Sequence, residues 1–271
     1  MTDETTFNNY DQLENLLENT STTYKFDQDA PVSIRRIRPN STDDTQVYSK
    51  VNEDPRTIHG LGDYSTTADI DEEVRQTEVK ATETMARTMQ LAIVGDKQLP
   101  EKYAGKIIAI VGLFQFDGNE YGQLNLPDKA LVLSAVIQKN FPEWREDLNT
   151  EELLQNTPTE YSPSTNERKD IDFVRELGDK KDPDNELLRK AMISGVKQCM
   201  ELVVKMEKQV SDAAQLVKSE KILPRKIIFV ASIRQDNIAS QRFAEDIGFV
   251  NTQKTEQEEG IVSDLYLLES A

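Results

Sequence analysis

Three apolar runs of strand length, Met89–Val94, Lys106–Phe116 and Ala130–Gln138, follow one another with only turn signals between them. Gly95-Asp96, Pro100, Asp117-Gly118-Asn119 and Pro127-Asp128 mark those turns. Such connections are too short for the helical crossovers that parallel neighbours need, so the runs are expected to pair antiparallel. This central sheet is what every other segment has to pack against.

The flanking segments read as a mixture of strands and helices. Val32–Arg38 alternates apolar and basic residues and is closed by Pro39-Asn40, the pattern of a strand. Ser41-Thr42-Asp43-Asp44 opens a helix that runs through Val47 and Val51 and stops at Asp54-Pro55. A glycine-bearing loop leads to a second, polar helix over about Asp69–Met89. From Asn185 to Ser219 apolar residues recur at helical spacing (Leu188, Met192, Val196, Cys199, Val203, Met206, Val210, Ala213, Val217), predicting one long amphipathic helix or two in tandem. Pro224 then precedes a strand over 226–233, a helix over 238–247 ends at Gly248, and a last strand covers Val262–Glu269. The fold class is α/β (α+β): a mixed, mainly antiparallel twisted sheet of six to seven strands flanked by helices. Residues 1–25 read as a flexible acidic tail. Residues 26–271 read as one domain with a polar insertion at about 139–185, whose helical patches are short, as at Ile171–Leu177.

Composition narrows the function classes. Asp and Glu outnumber Lys and Arg by 49 to 32, a formal charge of −17. Such a surface repels phosphate backbones and anionic lipid, so neither nucleic acid nor membrane is an expected partner. The single cysteine, Cys199, lies in the helical apolar stripe and reads as a small buried hydrophobe. With one cysteine and one histidine, His59, no Cys/His zinc site can be assembled, and no metal is expected. The acidic N-terminal stretch lacks an apolar signal core, so a cytoplasmic location is expected, as a monomer or homodimer.

The segment Lys226–Glu269 carries a motif: a strand, Asn237-x-x-Ser240 opening a helix, Gly248-Phe249 eleven and twelve residues beyond Asn237, then a closing strand. Near the N-terminus, Ile34-Arg35-Arg36-Ile37-Arg38-Pro39 followed by Thr42-Asp43-Asp44 has the form of a first strand and its turn. Together these resemble the GNAT superfamily of acyl-CoA N-acetyltransferases, nearest the ribosomal-protein N-terminal acetyltransferase branch. The resemblance implies acetyl-CoA as cofactor and a primary amine as acceptor, on a protein N-terminus or a small molecule. It also implies a V-shaped opening beside residues 131–138, where main-chain groups of Ser134, Ala135, Val136 and Ile137 face the pantetheine arm. Ser134 would orient the thioester and stabilise the oxyanion through its backbone, while Asn237 and Ser240 would add cofactor contacts. Gly248 and Phe249 read as structural in any case.

Two features depart from that pattern. The family's Gly-rich turn after the fourth strand, which cradles the pyrophosphate at a helix N-terminus, is replaced by Lys139-Asn140-Phe141-Pro142-Glu143-Trp144. The following helix starts at Asp182-Pro183-Asp184-Asn185-Glu186, with no glycine and three acidic side chains, near Lys180 and Lys181. The position of the family's frequent acid tyrosine is Ala244, beside Phe243. Glu120 is the candidate general base, with Asp117, Tyr121 and His59 behind it. Two other readings stay open at this point: a GNAT-like fold that has become a binding or regulatory module, and an unrelated α/β protein, which a parallel doubly wound sheet would reveal.

Overall fold

A computed structural model describes residues 23–24, 30–38, 41–52, 88–115, 122–127, 130–140, 183–218, 225–235, 237–258 and 261–270. Most of the expected tail, the Asp69–Met89 helix up to residue 87, and residues 141–182 of the expected insertion lie outside these. In chain order the described elements are β1 (Val32–Arg36), α1 (Thr42–Asn52), β2 (Thr88–Gly95), β3 (Ile107–Gln115), a 3-10 turn (Gly122–Leu124), β4 (Leu131–Lys139), α2 (Pro183–Lys218), β5 (Ile227–Arg234), α3 (Ile238–Ile247), β6 (Val250–Glu258) and β7 (Ile261–Glu269). Thr88 and Met89, expected at the end of a helix, are the first residues of β2.

The seven strands form one sheet in the order β1-β2-β3-β4-β5-β7-β6. Every neighbouring pair is antiparallel except β4 with β5. The three apolar runs occupy the middle as β2, β3 and β4, buried on both faces, which is why they are apolar throughout rather than alternating. A doubly wound parallel sheet, the mark of the unrelated fold, is excluded. Tyr24 adds a bridge to the outer edge, exchanging backbone hydrogen bonds with Ile34 at 2.7 and 2.8 Å.

Helix α2 covers one face. Its stripe of Leu188, Met192, Val196, Cys199, Val203, Met206 and Val210 is buried against the sheet, whereas Ala213 beyond it is exposed. Burial of each such aliphatic side chain is worth about 1.5–3 kcal/mol, so packing rather than helix propensity holds this 36-residue helix. Gly195 marks the closest approach: a Cβ there would lie 2.5 Å from Cγ2 of the fully buried Ile93. Residues Leu131, Leu133 and Ala135 of β4 and Ile227, Phe229, Ala231 and Ile233 of β5 join this core, together with Phe243 and Ile247 of α3.

The opposite face is covered in two places. Helix α1 packs Val51, with Val47 and Tyr48, on Ile37, Ala92, Ile107 and Ile110. The segment around Leu124 and Leu126 packs on Val132, Ile228, Val230 and Leu265. Helix α1 starts where the sequence places it: Ser41 Oγ accepts the Asp44 N–H at 3.4 Å, and its carbonyl accepts the Thr45 N–H at 2.9 Å. Strand β1 ends at Arg36 rather than Arg38, because the Arg38 N–H leaves the sheet for the Asp44 carboxylate at 2.9 Å. That carboxylate also accepts from both terminal guanidinium nitrogens of Arg35, Nη1 and Nη2. Burial alone would raise the Asp44 pKa, but the Arg35 and Arg38 hydrogen bonds hold it below the ordinary value.

Candidate active site

Strands β4 and β5 run side by side only at their beginnings. Their register pairs Leu131 with Ile227, Val132 with Ile228, Leu133 with Phe229 and Ser134 with Val230, and there it stops. Each strand keeps its outer neighbour to the end: β4 stays paired with β3 as far as Lys139, and β5 with β7 as far as Arg234. The result is a wedge between two well-anchored strands, opening toward their C-terminal ends, and not a frayed sheet margin.

Strand alternation decides which groups face the wedge. The Leu131 N–H donates to the Lys226 carbonyl, whereas the Asn140 N–H donates to the Ile108 carbonyl of the β3 side. Odd-numbered residues of β4 therefore direct their main chain toward β5, and even-numbered ones toward β3. Ser134 and Val136 belong to the β3 ladder. The last parallel pair, Ser134 with Val230, is closed through the amide that follows it, that of Ala135. Ile137 is thus the first residue whose N–H and C=O both face the wedge beyond the β4–β5 ladder. On the other wall the same parity presents the main chain of Ser232.

The far end of the wedge is bounded by α3. Asn237 caps it, its Oδ1 accepting the Ser240 N–H at 3.1 Å, with both residues half-buried. The amide oxygen of Asn237 is committed to that cap, which leaves Nδ2 as its donor toward a ligand. Gly248 closes the helix in the left-handed region at φ 114°, donating to the Ala244 and Glu245 carbonyls, as its spacing from Asn237 implies. Phe249 and Ala244 are buried, so both are core residues. Phe243 is core as well, and the Lys139 ammonium sits 4.3 Å from its ring centroid, joining the end of β4 to α3. Next to α3, Arg189 of α2 pairs with Asp246, and in the first turns of α2 Lys190 pairs with Glu186.

Of the four β4 residues expected to face a ligand through their main chain, Ala135 and Ile137 point to the β5 side. Ser134 and Val136 do not, because their main-chain groups are spent on β3, so Ser134 is not the expected oxyanion donor. Asn237 and Ser240 lie at the start of α3, which follows β5. Glu120, Asp117, Tyr121, His59, Lys180 and Lys181 lie outside the described residues. Cys199 is fully buried in α2, where desolvation pushes its thiol far above the ordinary range, consistent with a packing role. The buried Tyr266 of β7 pairs with Ala231, the first β5 residue beyond the parallel ladder. Burial raises its phenol, partly offset by a hydrogen bond with Asn251. Among the described residues, no helix is long and apolar enough to cross a membrane.

No known family's sequence profile matches the chain, and no curated protein matches it. Solved structures that it resembles include spermidine N-acetyltransferase from Vibrio cholerae, solved with CoA and spermine, at 10% identity and a TM-score of 0.43, over 89% of this chain and 96% of that one. NAA60 from Arabidopsis thaliana, in complex with a bisubstrate analogue, shares 11% identity at a TM-score of 0.42, over 89% and 99%. An aminoglycoside acetyltransferase, AAC(6')-Ib, solved with coenzyme A, shares 12% at 0.41, over 88% and 94%.

Proposed function

We propose that this chain is a GNAT-type N-acetyltransferase that binds acetyl-CoA in the β4–β5 wedge and acetylates a primary amine. The observation that carries this reading is the end of the parallel ladder at Ser134 and Val230, with both strands still paired on their outer sides. A wedge of this kind offers unused main-chain donors and acceptors to an extended, amide-bearing ligand, which can add itself as a short strand. The pantetheine arm has that chemistry, so the groups present fit it.

In this reading the Ile137 N–H would polarise the thioester carbonyl for addition of the amine to its carbon, the C–N bond forming and the C–S bond breaking as CoA leaves as its thiolate, while Ala135 and Ser232 would orient the arm. Acetyl-CoA supplies the activated acyl group. Asn237 contributes through Nδ2, its oxygen being held by the α3 cap. Ser240 sits in the first turn of α3. Glu120, between β3 and β4 in the sequence, is the residue proposed to accept the amine proton. The acceptor class is a protein N-terminus or a small amine, and a chain of charge −17 favours a cationic one.

A second reading, a GNAT-like module that binds no CoA, draws support from the missing glycine turn after Gln138 and the acidic start of α2. Titration calorimetry with acetyl-CoA and free CoA separates the two. The enzyme reading expects micromolar binding; no heat at millimolar ligand contradicts it and favours the module.

A further inference from the structure

The wedge is closed on one face of the sheet and reached by solvent on the other. On the α2–α3 face, Ala135 of β4 and Ala231 and Ile233 of β5 are buried in the main core together with Phe243. On the α1 face the beginnings of both strands are covered too, where Leu124 and Leu126 pack on Val132, Ile228 and Val230. Two residues further along β5 that cover ends: Ser232 is exposed, whereas the other seven residues of the strand are buried. Its exposure is not that of a sheet margin. Strand β5 lies between β4 and β7, and Ser232 itself pairs with the buried Leu265.

The register places this opening against the reacting position. Ser134 and Val230 are the last parallel pair, so two residues on, Ser232 stands across the wedge from the stretch Ala135–Ile137. Its parity with Ile228 and Val230 puts its side chain on the α1 face. Arg234, the next residue on that face, is buried. An amine bound for a carbonyl held by the Ile137 N–H therefore arrives from the α1 face, past the hydroxyl of Ser232.

The chemistry of amide formation gives that hydroxyl a use. A neutral primary amine carries a lone pair and two N–H bonds. As the lone pair forms the C–N bond and CoA leaves as its thiolate, the nitrogen becomes cationic and both N–H groups become stronger donors. One proton passes to a base; the other stays on the nitrogen of the product amide. A serine hydroxyl can accept a hydrogen bond from the N–H that stays, without itself taking a proton. A secondary amine has one N–H, which goes to the base, and its second substituent would stand against Oγ.

We infer that Ser232 Oγ orients the attacking nitrogen and selects primary over secondary amines. This rests on the cofactor reading above. The test uses glycinamide, a primary amine, and its N-methyl derivative sarcosinamide, a secondary one, with thiol release from acetyl-CoA as the readout. Wild type, Ser232→Ala and Ser232→Thr are compared, and acetyl-CoA affinity is measured on each preparation by titration calorimetry.

Loss of the hydrogen bond should lower kcat/KM for glycinamide by about tenfold in Ser232→Ala, while Ser232→Thr, which keeps the hydroxyl, retains most of it. The sarcosinamide rate should change little, so the preference for the primary amine collapses in Ser232→Ala. Acetyl-CoA affinity should be the same in all three proteins, because the main chain at 232 is kept. An unchanged glycinamide rate in Ser232→Ala, or an equal loss with both amides, overturns the inference. So does a wild type that binds acetyl-CoA and acetylates neither amide. A wild type that binds no acetyl-CoA overturns the cofactor reading itself, and this inference with it.

Discussion

The Glu207 carboxylate receives three N–H groups of Arg225: Nε at 2.9 Å, Nη2 at 3.0 Å and the backbone amide at 3.2 Å. Glu207 is 1% exposed in the middle of α2, and Arg225 stands two residues before β5. The pair therefore fixes where β5 begins, and with it the register that ends at Ser134 and Val230. Removing one partner strands the other charge in a low-dielectric site. Glu207→Ala should cost about 3–5 kcal/mol, visible as a lower urea midpoint, while Glu207→Gln should cost less because it keeps an acceptor for the backbone amide.

Asp44 makes the corresponding link at the other end of the sheet, between α1 and the β1 end. Its folded pKa lies below the ordinary carboxylate value, so its stabilisation is fully present above that value and is lost as pH falls through the lower folded one. Asp44→Asn should therefore be clearly less stable than wild type at pH 6, and the difference should shrink toward pH 3. Chemical denaturation at the two pH values measures it.

Gly195 and Ile93 set the distance between α2 and the sheet. In an open helix Gly→Ala gains about 1 kcal/mol from backbone entropy. Here the new Cβ meets Ile93 Cγ2 at 2.5 Å and Cδ1 at 2.9 Å. Overpacking of this kind costs about 1–3 kcal/mol and outweighs the gain, so Gly195→Ala should destabilise. Combined with Ile93→Ala, it should cost less than the two single changes added together, the sign of direct contact in a double-mutant cycle.

Asn237 has two jobs that substitution can separate. Asn237→Ala removes the cap and should lower stability by about 1 kcal/mol. Asn237→Asp keeps an accepting oxygen for the Ser240 N–H but loses the Nδ2 donor and adds a negative charge. It should melt like wild type and bind acetyl-CoA more weakly, which a thermal scan and a calorimetric titration on the same preparation would show.

The elements legible in the sequence are those whose residues are dictated by burial. Strands β2, β3 and β4, the α2 stripe and the Asn237–Gly248 helix lie within a residue or two of their expected limits, and α3 matches at both ends. Strand β6, VNTQKTEQE, gave no such signal. It is an edge strand built on the template of β7, with Val250 67% exposed and a register shift between Asn251 and Thr255, where Gln253 takes φ 59°. Pairing there depends on backbone hydrogen bonds, which leave no mark on side-chain pattern. The wedge was legible only through the resemblance. Which residues face it follows from strand parity, and parity needs a hydrogen-bonded reference point such as Leu131 to Lys226.

Amide hydrogen exchange at β4, followed by NMR with and without acetyl-CoA, tests the central claim most directly. The account expects the amides of Ser134 and Val136 to be protected in the free protein by their bonds to β3. Ile137 between them and the wedge should exchange quickly and become protected at saturating acetyl-CoA, with its neighbours unchanged. If Ile137 is already as protected as Val136 in the free protein, or still exchanges quickly at saturating acetyl-CoA, the wedge is not the cofactor site.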